Sequence, residues 1–294
     1  MAASKEDGVD FTRDVISELV TNASIELSAT PADQVSAAAA LLPFGTSVYV
    51  PSPQKKELSS NLPLVEALHA AGMEAVPHIA ARKVRSREAL KDYLTTVVER
   101  YGVHRVLVIG GDVSEPVGPY ADSAAILSDD VLQETGIHEI GIAGYPEGHP
   151  RIPPEIISAD LDAKLKLAKE RRLGLEIITQ FSFAPTRIVE YCAGLSHRAP
   201  GIPVYVGMAG PTSTARLIRY ARYCGVSASF RALTDLGIKA VKLVSHTDPE
   251  EQLTALAQYC AVRESCNVIG VHIFSFGGFE QSARWLRNHC RQTG

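Results

Sequence analysis

The chain lacks a surplus of either charge. Its 294 residues carry 29 Lys and Arg against 33 Asp and Glu, a net charge of −4. No general positive field exists to hold nucleic acid. An anionic small ligand needs a local cluster of cations or backbone N–H groups. Cysteine is scarce as well. The five, Cys192, Cys224, Cys260, Cys266 and Cys290, are odd in number and form no CxxC pair. That excludes a disulfide frame and a paired-thiol zinc site, and it implies reduced thiols in a cytoplasmic protein. No run of about 18 apolar residues is present, so no membrane span is predicted. Met1 to Thr12 is polar, carries Lys5, Glu6, Asp7 and Asp10, and has no apolar core of the secretory kind. These twelve residues are expected to be flexible.

Several catalytic signatures are missing too. There is no GxSxG elbow and no GxxxxGK[ST] loop. Gly110-Gly111 is not GxGxxG, so no Rossmann dinucleotide site is supported. The early strands carry no HxH pair, which disfavours a barrel metal hydrolase, and no metal site is expected. The sixth strand ends in Gln180 and has no lysine for a Schiff base.

What is present is an ordinary core-forming composition, 46% hydrophobic and 21% charged, organised as alternating short apolar runs and longer helix-period segments. The runs expected to be strands are Ala23–Leu27, Ser47–Val50, Ala75–Ile79, Arg105–Ile109, Glu139–Ala143, Leu175–Thr179, Pro203–Gly207 and Val268–Phe274. They are rich in Val and Ile and several are apolar throughout, as parallel strands covered on both faces are. Helix starts are marked between them. Thr30 can cap a helix with Pro31 at its first position, Ser86 precedes a 3.6-period stripe, Thr212 or Ser213 opens a helix that Gly225 can end, and Asp248-Pro249-Glu250-Glu251 has the form of a capping box. Eight strands, each followed by a helix, give the count of a closed (β/α)₈ TIM barrel with additional helices, read as one domain over residues 1–294. An open doubly wound sheet is the alternative. Gly225 to Thr247 is longer than a simple step needs, and an extra helix and a strand-like piece are expected around Ala240–Val244.

In a barrel, chemistry gathers at the C-terminal ends of the strands. There stand Glu26, Tyr49, Pro77-His78, Gly110-Gly111-Asp112, Gly144-Tyr145-Pro146-Glu147-Gly148-His149-Pro150, Thr179-Gln180-Phe181 and His272. Each alone has a plain structural reading: a rim carboxylate in solvent, a packed histidine, a turn residue after two glycines. Their shared position is the stronger fact. On the helix after the fifth strand, Asp162, Lys166 and Lys169 share one face and Leu161, Leu165 and Ala168 another. The charged face is either a solvated surface or a basic edge for a diphosphate.

The string Ala143 to Pro150 resembles the AxYPExHP signature of methylenetetrahydrofolate reductases. Asp162, Lys169 and Ile177-Ile178-Thr179-Gln180-Phe181 are similar to that family's D…K…ITQ(F/L)FF stretch. Ser24-Ile25-Glu26, Pro77-His78, Gly111-Asp112 and Tyr120-Ala121 resemble its SxE, PH, GD and YA pieces. The likeness is good over residues 22 to 183 and holds only in outline beyond.

The resemblance implies a flavin-containing barrel that interconverts 5,10-methylenetetrahydrofolate and 5-methyltetrahydrofolate with NADH or NADPH. It implies FAD as cofactor, a cytoplasmic homo-oligomer, and neither nucleic acid nor membrane as partner. The length leaves no room for a eukaryotic-type regulatory domain. By the same resemblance, Glu26 is the general acid for opening the folate ring, and Asp112 sits by the flavin's pyrimidine edge and the pterin. Gln180 bonds the pterin, Phe230 stacks on substrate, and His78, Gly111, Asp112, Tyr120, Ala121, Ala143, Tyr145, His149, Asp162 and Lys169 line the FAD.

The chain also departs from the pattern. Leu27-Ser28-Ala29-Thr30 replaces the usual FFPP, Tyr49 a threonine, Gly110 an arginine, and Leu165 and Ala168 an asparagine and an arginine. Losing two arginines removes charge-assisted hydrogen bonds to an anionic cofactor. Two other readings therefore stay open: a flavin-independent relative with direct hydride transfer, and a folate-binding barrel without redox activity that serves one-carbon or demethylation metabolism.

Overall fold

A computed structural model describes residues 5–28, 30–53, 56–226, 249–263 and 265–291. Eight parallel strands close into a barrel in chain order, β1 (Ser24–Glu26), β2 (Ser47–Val50), β3 (Glu74–Ala80), β4 (Arg105–Ile109), β5 (Glu139–Gly144), β6 (Gly174–Thr179), β7 (Val204–Ala209) and β8 (Val268–Phe274). The β1–β8 pairing, Ser24 with His272 through Glu26 with Phe274, completes the ring and excludes the open sheet. All eight expected strands occur, three with the boundaries read from sequence and the others within two residues at each end.

Among the described residues there are eleven α-helices. Before β4 come α1 (Lys5–Thr21), α2 (Ala32–Ala39), α3 (Leu62–Ala70) and α4 (Arg87–Tyr101). Then follow α5 (Ser123–Ser128), α6 (Val131–Glu134), α7 (Pro154–Arg171), α8 (Pro185–Arg198), α9 (Thr214–Cys224), α10 (Glu250–Ala261) and α11 (Phe279–Arg291). Ser86 caps α4 through the Ala89 N–H, and Ser213 caps α9 through that of Arg216. Thr30 is not a cap. Pro31 stands in extended geometry just outside α2, and the Thr30 hydroxyl donates to the Ser28 carbonyl instead. Helix α1 takes in residues that the sequence reading left without an element. Asp248 and the pieces expected around Ala240–Val244 lie outside the described residues, as does Phe230.

The alternation of side chains along each strand divides the molecule. Outward residues such as Val48, Val106, Ile140, Ile177 and Val206 pack beneath the helices in one continuous core. Inward residues fill the barrel in layers. The middle layer is Tyr49, Val76, Leu107 and Ile178. Gly141 lets it close, because a Cβ there would come within 2.9 Å of the Leu107 side chain.

The layer at the strands' N-terminal ends is ionic. Arg105 donates to Glu176 at 2.8 Å and to Glu74 at 2.8 Å, and it lies 3.2 Å from Glu139. Tyr49 donates to the other oxygen of Glu176 at 2.5 Å. Burial opposes the Arg105 charge, but the surrounding carboxylates outweigh it and hold the guanidinium above its usual pKa. Burial raises Glu176, and Arg105 counters it. This cluster is an ion-paired floor.

Candidate active site

The opposite end of the barrel is built differently. Glu26 closes β1 with its side chain inside the rim. Burial pushes its pKa up to about 7, against the Ser28 hydroxyl, which donates to Glu26 Oε1 at 2.5 Å. Among the described residues Glu26 makes no ion pair. It is thus a carboxyl group half-protonated near neutrality, the state a general acid needs.

Glu26 and Gln180 stand on strands far apart around the ring, and Cys224 connects them. This thiol ends α9. It is raised to about 12, chiefly by burial and then by the Glu26 charge, and it is hydrogen-bonded to the Gln180 side chain. Helix α9 reaches this place because its apolar face, Leu217 and Ala221, packs on Phe181, Phe183 and Phe276. The following Gly225 abuts Pro150 of the β5 loop, where a Cβ would come within 2.4 Å of the proline ring.

The β6 and β8 ends both read Phe-Ser-Phe. Phe181 meets Phe183, Phe274 and Phe276 edge to face at 5.0–5.6 Å, and Tyr220 of α9 lies 4.6 Å from Phe276. Phe276 holds a left-handed backbone (φ 47°), uncommon for a bulky residue and concentrated at functional sites. Between the two ends, β7 offers Gly207. A Cβ there would fall 2.1 Å from the Thr179 carbonyl and 2.7 Å from the Phe274 ring. The result is an apolar wall beside one amide and one carboxyl group.

Deeper in the mouth, His78 and His272 flank Tyr49 at 5.9 and 4.7 Å. Burial lowers both histidines to about 3, so both are neutral. His272 Nδ1 bonds the Ser24 hydroxyl at 2.8 Å. Among the described residues His78 Nε2 is buried without a hydrogen-bond partner, and an orphaned polar atom of this kind calls for a ligand or a water.

On the β4–β5 side, Gly111 (φ +96°) brings the chain against Ala80 and Arg82. Lys83 pairs with Asp112 at 2.7 Å. Arg82 Nε donates to the Ala121 carbonyl at 2.7 Å and Nη1 to that of Val113 at 3.4 Å. Tyr120 is buried with its hydroxyl on Asp129 at 2.9 Å. Tyr145 packs edge-on to His149 at 5.4 Å, and burial and then the Asp160 carboxylate raise it to about 12. Burial lowers His149. Asp160 pairs with Lys164, which is buried on the inner face of α7.

The family model described as methylenetetrahydrofolate reductase matches residues 32–273. The chain belongs to the methylenetetrahydrofolate reductase family. A segment of 89 residues is 30% identical to methylenetetrahydrofolate reductase 2 of Saccharomyces cerevisiae (strain ATCC 204508 / S288c), covering 30% of this chain and 14% of the yeast protein. The chain thus spans a small part of that relative's length. Among solved structures, a D-hydantoinase aligns over 60% of this chain and 41% of its own at 13% identity, with a TM-score of 0.34. That likeness carries no functional reading.

Within this family member the barrel brings Glu26 and Gln180 together. It gathers Gly111, Asp112 and Ala121 around Arg82 and Lys83, sets Tyr145 on His149, and sinks His78 into the mouth. Ala143 lies half-buried on β5 beside Ile178. Two expected cofactor residues are placed elsewhere. Asp162 is exposed and bridges to Arg198 of α8 at 2.7 Å. Lys169 is exposed in the last turn of α7, fifteen residues on from Pro154, roughly 22 Å along a helix that runs away from the mouth. With Lys166 they form a solvated face, and Asp160 and Lys164 take the inner one. Sequence reasoning also missed Arg82, Lys83 and Cys224. The Arg-Lys pair directly after the third strand was the available signal.

Proposed function

We propose that this family member transfers a hydride from NADH or NADPH to 5,10-methylenetetrahydrofolate through bound FAD, giving 5-methyltetrahydrofolate, as a cytoplasmic homo-oligomer. The observation that carries the reading is Glu26: a rim carboxyl with a pKa of about 7 beside Gln180 and an aromatic wall. Membership of the family supports the substrate class.

The residues present fit a flavin. His78 offers an orphaned buried Nε2 to a polar ring edge. Arg82, next to Gly110, and Lys164, one turn nearer the mouth than Ala168 on the same face of α7, offer cations where the two expected arginines are absent. Bound FAD would supply a two-electron carrier that accepts hydride from one substrate and yields it to the next. Gln180 would hold the pterin by its amide while Phe181 and Phe274 exclude water from its face. Glu26 would donate its proton to a nitrogen of the folate imidazolidine ring as that ring opens. Asp112, its charge tempered by Lys83, would sit at the pyrimidine edges.

The test is the purified protein itself. It should be yellow, NADH or NADPH alone should bleach it, and methylenetetrahydrofolate should restore the colour with parallel-line ping-pong kinetics. A colourless preparation that turns over with ternary-complex kinetics would establish direct hydride transfer instead. Folate binding without any turnover of nicotinamide would establish a non-redox barrel.

A further inference from the structure

Far from the mouth, three sulfurs meet where α8, α10 and the start of β8 converge. Cys260 lies in the last turn of α10, Cys266 precedes β8, and their Sγ atoms stand 2.7 Å apart, inside ordinary sulfur–sulfur contact. Both side chains are half-buried, within reach of small solutes. The buried Cys192 of α8 lies close enough to feel the charge of Cys266 and to act on Cys260. The active-site reading uses none of them.

We infer that Cys260 and Cys266 are a redox-responsive dithiol, oxidised by hydrogen peroxide or another small peroxide to an intrachain disulfide. One hydrogen bond joins Cys266 Sγ and Cys260 Sγ. That bond pulls Cys266 down to about 7 and pushes Cys260 up. Cys266 is therefore the attacking thiolate. Its sulfur takes one peroxide oxygen, giving a sulfenic acid and releasing hydroxide. The Cys260 sulfur then loses its proton, attacks the sulfenic sulfur and expels a second hydroxide. With the two thiol protons the products are one disulfide and two waters, each sulfur oxidised by one electron and both peroxide oxygens reduced. Cys192, raised to about 12 by burial, stays protonated and does not compete.

The bridge would fasten the end of α10 to the floor side of β8. The adjacent Asn267 already holds that spot, its side chain donating to the carbonyls of Ala199 and Ile202. Holding this short loop closed in the unfolded chain should raise the Tm of the oxidised form by a few degrees.

The experiment is a thiol count on the denatured full chain before and after peroxide, with peptide mapping by mass spectrometry. The count should fall from five to three, with a mass loss of about 2 Da and a Cys260–Cys266 peptide that dithiothreitol releases. Cys266→Ser should keep all four of its thiols under the same dose, and Cys260→Ser should stop at sulfenic acid, trapped by dimedone. Five thiols surviving in the oxidised protein, or a bridge mapped to Cys192, Cys224 or Cys290, would overturn the inference. If the serine variants fail to fold, the wild-type mapping decides alone.

Discussion

The two ends of the barrel handle buried carboxylates in opposite ways. At the floor, Glu74, Glu139 and Glu176 surround Arg105, and all three share that one guanidinium. At the mouth, Glu26 is buried without a cation among the described residues and has only the Ser28 hydroxyl. At one end an arginine counters the effect of burial on the carboxylate it pairs with, and at the other a carboxyl with no such partner is poised between forms. The difference lies in the partner, since burial raises Glu176 and Glu26 alike. The N-terminal face is tied by ion pairs and the C-terminal one holds an unpaired titratable carboxyl, the division that barrels of this kind show between stability and chemistry.

The sharpest way to test that contrast is Glu26→Gln. Folate reduction should fall about 10²–10⁴-fold, the usual worth of a positioned acid, while bleaching of the flavin by nicotinamide survives. Stopped-flow measurement of the two half-reactions checks this, and equal loss of both would make Glu26 a structural residue. In the wild type the folate half-reaction should weaken as pH rises through about 7, where the carboxyl loses its proton.

At the floor, Arg105→Met leaves three carboxylates facing one another and should destabilise by about 3–5 kcal/mol in denaturant unfolding. Glu26→Gln should do the reverse. The raised pKa of Glu26 means that its protonated form favours the folded state. That contribution is full below the unfolded value of 4.5 and is lost as pH rises through about 7. Above pH 7 the glutamine variant should therefore be more stable by up to about 3 kcal/mol. A chain that loses stability on both substitutions would erase the contrast.

Smaller effects sharpen the mouth. Arg82→Ala should weaken FAD retention about 10- to 100-fold, the worth of one or two charge-assisted hydrogen bonds, read by flavin fluorescence on titration. Lys169→Ala should leave flavin affinity unchanged and shift stability by less than about 0.5 kcal/mol, as an exposed lysine would.

Much of this was legible in the sequence. The strands were readable because a parallel barrel buries both faces, so β3, β4 and β8 announce themselves as apolar runs. The rim residues followed from the ends of those runs. Three things were hidden, each for a physical reason. Arg105 looks like the first residue of a strand, and only the ring closure shows that it points inward at Glu176. Cys224 sits outside any motif and gains its neighbours from the packing of α9 on aromatics of β6 and β8. On α7, Asp162 with Lys166 and Asp160 with Lys164 are rival acid–lysine sets offset by two residues. Two residues turn a helix by roughly 200°, so that small offset exchanges the inner face for the outer one.

Gly207 has the farthest-reaching geometry for its size. Its missing side chain leaves a gap bounded by the Thr179 carbonyl on one side and the Phe274 ring on the other. One hydrogen atom in place of a methyl thus sets how closely the sixth and eighth strands approach across the seventh. Any side chain at that position would have to displace either the backbone carbonyl or the ring, so the spacing at this point of the wall depends on the absence of a Cβ.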